Sequence, residues 1–205
     1  MVKTAATLGR LARRGKRRVG GKPRLPSLWF LTDPDRTPDA EAIVARLPRG
    51  AGVIYRHFGA AQALAVAARL RRLTAARGIV LLIGADAALA ARVGADGVHL
   101  PERLMTQAIR LRHRRPRWII TAAAHNPAAV ARGGQLRLDA VFTSVAFASR
   151  SPSASRPMGV LRLARIARRG KVAVIALGGV NNETAPRLIG AGVHGLAAVE
   201  GFGVS

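Results

Sequence analysis

The chain of 205 residues contains no cysteine, and this absence excludes disulfides, zinc–thiolate sites and cysteine nucleophiles. Aromatic residues make up 4% of the sequence, so the stacking platforms that bind single-stranded nucleic acids are scarce. No run of about 18 apolar residues is free of charged residues, and no apolar segment follows the basic N-terminus as in a signal peptide. We therefore expect a cytoplasmic protein that does not span a membrane.

Acidic residues are also few, with 10 against 34 lysines and arginines, and the formal net charge is +24. Such a surplus attracts polyanions weakly and with a strong dependence on salt concentration. Residues 1–24 hold nine of the positive charges and no acidic residue. Glycines and prolines are concentrated between Gly20 and Pro26. We therefore divide the chain into a basic N-terminal tail, residues 1–24, and one domain, residues 25–205. The tail is expected to bind polyanions weakly.

Eight short apolar segments in the domain are typical of buried strands. They are Leu28–Thr32, Gly52–Tyr55, Ile79–Ile83, Gly97–Leu100, Trp118–Thr121, Ala140–Ser144, Val172–Leu177 and Gly195–Val199. Stretches with the 3.6-residue period of helices lie between most of them. These stretches are Ala60–Ala76, Ala87–Val93, Leu104–Arg112, Pro127–Arg132, Val160–Arg168 and Glu183–Gly190.

Strands that alternate with helices predict a parallel sheet with right-handed crossovers, and eight such units close into a barrel. The sequence therefore predicts an α/β fold, a single (β/α)8 TIM-type barrel. An open doubly wound sheet is the alternative, but no glycine-rich dinucleotide-binding turn follows the first strand.

Polar residues follow many of the predicted strands, at the edge where barrels place their ligand-binding groups. They are Asp33, Arg56, His57, Asp86, His99, His125, Asn126, Ser149, Ser151 and Glu200. Some of them have structural alternatives: Asp33 fits a cap or turn, and His99 fits a buried core histidine equally well.

The strongest local signal is Gly178–Gly179, directly after the seventh strand. Glycines allow a close approach of the backbone to a ligand, and barrels often bind phosphate after strands seven and eight. We therefore expect a phosphate-bearing ligand at this turn.

Three segments share the pattern of a known family. Gly94–Leu100 reads GADGVHL, Ala176–Val180 reads ALGGV, and Gly190–Ala197 reads GAGVHGLA. In these segments the chain resembles the thiamine phosphate synthase and thiazole tautomerase (TenI-type) family, over roughly residues 28–203. The resemblance implies a role in thiamine biosynthesis and a thiazole phosphate as the phosphorylated ligand. The synthases of this family join that ligand to an aminopyrimidine diphosphate with the help of magnesium.

The resemblance also implies the roles of individual residues. Arg56 matches the arginine of the family's Arg-x-Lys pattern after the second strand, and His125 matches the histidine of Ser-x-His on the fifth strand. These two residues are the expected catalytic residues. The expected phosphate- or substrate-binding residues are Gly178, Gly179, Ser149, Ser151 and Gly159.

The chain departs from the family pattern where the family binds magnesium. Ala85 and Leu104 stand where the family has aspartates, and Phe58 replaces the lysine of Arg-x-Lys. Because Mg²⁺ prefers carboxylate and water oxygens, we expect no metal site unless Asp86 or Glu102 compensates. The family also has a full helix after the eighth strand, so the last helix is expected to be truncated.

The sequence thus predicts an enzyme of the synthase type by resemblance and leaves three alternatives open. The first is a metal-independent tautomerase-like enzyme, in which His125 would move a proton because a histidine titrates near neutral pH. The second is a non-catalytic barrel that binds a phosphorylated ligand, and the third is a polyanion-binding barrel. Formation of a homo-oligomer also stays open.

Overall fold

The computed structural model describes residues 25–148 and 157–200. Its strands are β1 Leu28–Leu31, β2 Gly52–Tyr55, β3 Val80–Gly84, β4 Gly97–Leu100, β5 Ile119–Ala124, β6 Ala140–Thr143, β7 Ala173–Leu177 and β8 Gly195–Ala198. Each strand pairs in parallel with the next, and β1 pairs with β8, so the sheet closes into a barrel. The predicted (β/α)8 barrel is confirmed.

Helices connect most of the strands on the outside of the barrel. They are α1 Ala40–Arg46, α2 Ala63–Arg77, α3 Ala87–Val93, α4 Gln107–Arg114, α5 Pro127–Gln135 and α6 Val160–Arg169, with 3-10 turns at Glu102–Leu104 and Ala185–Leu188. Asp39, Asp86 and Asn126 accept backbone N–H groups at the starts of α1, α3 and α5. These side chains fix where the three helices begin.

Two connections differ from the prediction. The helix α1 was not predicted, although Asp39 and the three- and four-residue spacing of Ala40, Ile43 and Val44 after it are typical of a capped helix. The predicted helix over 183–190 is only a 3-10 turn, because the Asn181 side chain accepts the N–H groups of Glu183 and Thr184. A side chain that bonds its own backbone in this way competes with helix formation.

The inside of the barrel is filled by apolar side chains from alternate strand positions. Trp29 of β1 and Phe142 of β6 are fully buried, and their ring centroids lie 5.3 Å apart at a steep angle. Gly52 on β2 leaves the room that the Trp29 ring occupies, since a Cβ there would overlap the ring. This packing closes the centre of the barrel and leaves the carboxyl ends of the strands for ligands.

No helix within residues 25–148 and 157–200 is long and apolar enough to cross a membrane. The predicted basic tail, residues 1–24, lies outside the described residues, as does the chain after Glu200, where a truncated last helix was expected.

Candidate active site

Arg56 is held at the carboxyl end of β2 by residues that follow β1. Its Nε donates to the Thr32 carbonyl at 2.7 Å, and its Nη2 lies 3.3 Å from Oδ2 of Asp33. The backbone N–H of Arg56 donates to the Thr32 hydroxyl at 2.9 Å. Burial lowers the pKa of Arg56, and the carboxylate of Asp33 opposes this change. The guanidinium therefore stays charged and has a defined orientation.

Asp33 also binds a second arginine. Its Oδ2 accepts from Nη2 of Arg36 at 3.0 Å, and Nη1 of Arg36 lies 4.0 Å from the carboxylate of Glu200. Burial raises the pKa of Asp33, but the hydrogen bonds from Arg36 and the charges of Arg36 and Arg56 outweigh it, so the pKa is lowered overall. Two guanidiniums and two carboxylates thus meet at the ends of β1, β2 and β8, with little net charge between them.

His125 lies at the carboxyl end of β5 and is held at two atoms. Its Nδ1 lies 2.9 Å from the Ser144 hydroxyl, which follows β6, and its backbone N–H donates to Oε2 of Glu102 at 2.8 Å. The side chain is exposed. Within the described part of the chain, Nε2 has no hydrogen-bond partner, so this nitrogen is available to exchange a proton with a ligand.

The glycine turn after β7 is packed tightly against the segment that follows β6. A Cβ on Gly178 would lie 2.8 Å from Cγ1 of Val145, and a Cβ on Gly179 would overlap the carbonyl of Ala148. Both glycines have a positive φ, 92° and 64°. Glycine is therefore required at both positions by the packing of the protein itself, besides any need of a ligand.

The segment after β6 also brings Gly159 to this turn. The N–H groups of Ala146 and Phe147 donate to the carbonyls of Leu177 and Gly178, and on the other side Gly159 donates to Ala146. Gly159 is the N-cap of α6, and within the described residues no side chain caps this helix. The start of α6 and the turn after β7 thus lie on the two sides of one short segment.

Backbone N–H groups of the turn after β7 lack acceptors among the described residues. Among the described residues, the N–H groups of Gly179 and Val180 have no acceptor, although nearly all buried backbone groups in proteins have one. Ser149 and Ser151, the other predicted phosphate-binding residues, lie outside the described residues.

Two histidines near the site bind protein groups. His99 is buried inside the barrel, where its Nδ1 lies 2.9 Å from the Thr121 hydroxyl. Burial and the charge of Arg56 lower its pKa to about 3, so His99 is a neutral core histidine at neutral pH. Nε2 of His57 lies 3.6 Å from the carboxylate of Asp86.

The residues at the family's magnesium positions do not fit that ion. One oxygen of Asp86 accepts the Leu89 N–H at the start of α3, and the other faces His57. Glu102 accepts the backbone N–H of His125. In the described ranges no three His, Asp or Glu side chains form a group that could hold a metal. Ala85 supplies no oxygen ligand from its side chain.

Three residues that hold the site were not predicted from the sequence. Thr32 and Arg36 fix Arg56 and Asp33, and Ser144 binds His125. Thr32 and Ser144 end predicted strands, so their position at the ligand-binding edge was a usable signal. Arg36 gave none, because it lies in a loop of a chain with many arginines.

Comparison with known proteins agrees with the resemblance. The family model described as thiamine monophosphate synthase matches residues 28–202. The thiamine-phosphate synthase of Alcanivorax borkumensis is 32% identical over 186 residues, which cover 86% of this chain and 84% of that protein. That of Chromobacterium violaceum is 32% identical over 189 residues, covering 88% and 89%.

A solved structure shows the same fold. Thiamine phosphate pyrophosphorylase from Pyrococcus furiosus superimposes with a TM-score of 0.73 at 23% identity, covering 84% of each chain. The sequence match extends over nearly all of the barrel and includes the turn after β7. The chain therefore belongs to the thiamine monophosphate synthase family, a family of thiamine biosynthesis.

Proposed function

We propose that this barrel binds a thiazole phosphate and joins it to an aminopyrimidine diphosphate. The observation that carries the proposal is that the N–H groups of Gly179 and Val180 have no acceptor and the start of α6 has no side-chain cap among the described residues. The names of the relatives from Alcanivorax and Chromobacterium support the reaction, since both are thiamine-phosphate synthases.

The phosphate would lie between the turn after β7 and the start of α6. Backbone N–H groups and the positive end of a helix dipole favour an anion at such a place. Gly178, Gly179 and Gly159 leave this backbone free of side chains, and the hydroxyls of Ser149 and Ser151 would add donors. No lysine or arginine is required for this part of the ligand.

The diphosphate would bind on the side of Arg56. In the condensation, a bond forms between the thiazole nitrogen and the methylene carbon of the pyrimidine, and the diphosphate leaves with the electrons of the broken C–O bond. Nη1 of Arg56 has no partner among the described residues and would donate to an oxygen of the leaving group. Phe58, at the position of the family's lysine, is 69% exposed and adds no charge.

Magnesium has no part in this proposal, because Ala85 and Leu104 stand at the family's aspartate positions and the described residues include no group of three side chains that could hold a metal. The test is to incubate the protein with both substrates and to quantify thiamine phosphate by chromatography, with and without EDTA. We expect product in both samples and none with Arg56→Ala. If no product forms but thiazole phosphate still binds, the proposed condensation is wrong and the proposed binding site stands.

A second candidate function is proton transfer on a bound thiazole phosphate, and the contacts of His125 favour it. Ser144 and Glu102 fix this histidine, and its Nε2 has no partner in the part of the chain that the structure describes. A histidine so placed can remove a proton from a ligand and return it without a metal. The measurement is exchange of a thiazole proton for deuterium, followed by NMR. Exchange that continues unchanged in His125→Ala would exclude this function.

A further inference from the structure

A groove of about 850 Å³ runs along the outside of the barrel between α5 and α6. We refer to it as the α5–α6 groove. Its lining residues come from both helices and from the segments that follow them. They are Pro127, Val130, Ala131, Gly134, Gln135, Arg137, Arg162, Arg165, Ile166, Arg169, Gly170 and Lys171.

The two helices contribute different chemistry to the groove. The α5 side consists of Gln135 and of Pro127, Val130, Ala131 and Gly134, which follow one another at helical spacing; none of these residues carries a charge. The α6 side, residues 162, 165, 166 and 169, has the same spacing and consists of three arginines and one isoleucine. Residues at these intervals share one helix face. The α5 wall is therefore uncharged and mostly apolar, and the α6 wall is cationic.

The positive charges of the groove are not neutralised by the chain. Within the described residues none of its five cationic side chains forms an ion pair, and no acidic residue lines it. Elsewhere arginines do find carboxylates: Arg112 lies 2.6 Å from Asp139. From residue 103 to residue 182 the sequence contains one acidic residue, Asp139. The groove thus lies on a surface that lacks counter-charges.

Arg137 occupies a backbone conformation that favours glycine. Its φ is 53°, directly after α5, and its N–H donates to the carbonyl of Gly134. Glycine is the usual residue at this position after a helix, because a Cβ is unfavourable there. The chain places an exposed cation at the edge of the groove in a position where glycine would be more stable.

From this arrangement we propose that the α5–α6 groove binds an acidic amphipathic segment of a partner protein. Apolar side chains of that segment would lie on Pro127 and Ala131, which are exposed on α5, and its carboxylates would pair with Arg162 and Arg165. Helix-in-groove binding of this kind joins an apolar contact with complementary charge.

The chemistry of the groove distinguishes this occupant from others. The undescribed segments of the chain are poor complements: residues 1–24 and 149–156 carry cations and no acid, and residues 201–205 carry no charge. A second copy would bring another net charge of +24. The lining contains no aromatic residue on which nucleic-acid bases could stack. An acidic segment with apolar side chains satisfies both walls.

The test uses a fluorescent synthetic peptide of about four helical turns, with leucine at helical spacing and glutamate at the other positions. Its binding to the full chain is measured by fluorescence anisotropy at two salt concentrations. The comparison ligands are a scrambled peptide of the same composition, a thymidine oligonucleotide and polyphosphate. We expect the amphipathic peptide to bind at least tenfold more tightly than the scrambled one. Equal binding of the scrambled peptide, or tighter binding of either polyanion, would overturn the proposal.

Variants then locate the binding. Arg162→Glu combined with Arg165→Glu should remove binding of the amphipathic peptide, whereas Arg72→Glu, on the exposed face of α2, should leave it within twofold. Arg137→Gly should weaken binding severalfold without lowering the melting temperature, since glycine suits the backbone there. Unchanged binding in the double variant would show that the peptide lies elsewhere.

Discussion

The Ser144 hydroxyl lies 2.9 Å from Nδ1 of His125, and this contact follows from the register of two strands. Ala124 of β5 is paired with Thr143 of β6, so the residue after each of them lies beside the other at the end of the barrel. A hydrogen bond at Nδ1 orients the imidazole and biases which ring nitrogen carries the proton. With Nδ1 held by Ser144, Nε2 is the ring nitrogen available to a ligand.

Ser144→Ala should slow proton exchange on a bound thiazole phosphate by about tenfold, less than the roughly 10²–10⁴-fold expected when the acid–base group itself is removed. The reason is that the imidazole loses its fixed orientation but can still accept and donate a proton. Ser144→Thr keeps a hydroxyl and should restore most of the rate. Exchange rates measured by NMR at saturating ligand test this, and equal rates in the wild type and Ser144→Ala would contradict it.

Arg56→Lys should weaken the binding of inorganic diphosphate by about tenfold or more. A lysine cannot donate to the Thr32 carbonyl and to Asp33 in the geometry of a guanidinium and also keep a free N–H donor for the ligand. Calorimetric titration measures the change. The matched control is Arg69→Lys, because Arg69 makes an exposed ion pair with Glu41 away from the strand ends. Equal losses of diphosphate affinity in the two variants would show that Arg56 does not contact the diphosphate.

Gly179→Ala should destabilise the fold more than Gly190→Ala does. Both glycines have a positive φ, 64° and 77°, so alanine costs about 1 kcal/mol at either position. A Cβ on Gly190 meets nothing within 4 Å, whereas one on Gly179 overlaps the Ala148 carbonyl. Overpacking of this kind adds about 1–3 kcal/mol. Urea unfolding measures the free energy of unfolding of both variants. Equal losses of this free energy would show that the segment after β6 does not pack on the turn.

The strands and most helices could be predicted from the sequence because each has a local signal. The apolar run 80–83 marks β3, and Gly94 after an apolar stretch marks the end of α3. The 3-10 turn at Ala185–Leu188 was missed because Asn181 bonds the backbone there. A local pattern does not reveal which of two competing hydrogen bonds is formed.

The candidate site could be predicted only in part. The positions of Arg56 and His125 followed from the ends of strands and from the family pattern. Their partners Asp33 and Ser144 come from neighbouring strands, and the register between strands is set by tertiary packing. For the same reason, the sequence left open whether Asp86 and Glu102 were available to a metal.

Because His99 is buried in its neutral form, the free energy of unfolding should decrease as the pH falls from about 6 toward 3. Its pKa is about 3 in the folded protein against an ordinary value of 6.5, so between these values only the unfolded chain binds the proton. Stability is unaffected above pH 6.5 and decreases by about 1.4 kcal/mol per pH unit as the pH falls toward 3. His99→Asn keeps a polar group near Thr121 and should remove this part of the slope. Urea unfolding at pH 7 and pH 5 compares the two proteins, and identical slopes would contradict the burial of a neutral histidine.

The measurement that tests the central claim most directly is calorimetric titration of the protein with thiazole phosphate in the presence of EDTA, repeated with Gly179→Ala and Gly190→Ala. We predict saturable binding of one ligand per chain. This binding should not require magnesium, and it should persist at a salt concentration that suppresses nonspecific binding of anions to the basic tail. Gly179→Ala should weaken it strongly, and Gly190→Ala should leave it unchanged. Absence of binding at both low and high salt would contradict the phosphate site at the turn after β7.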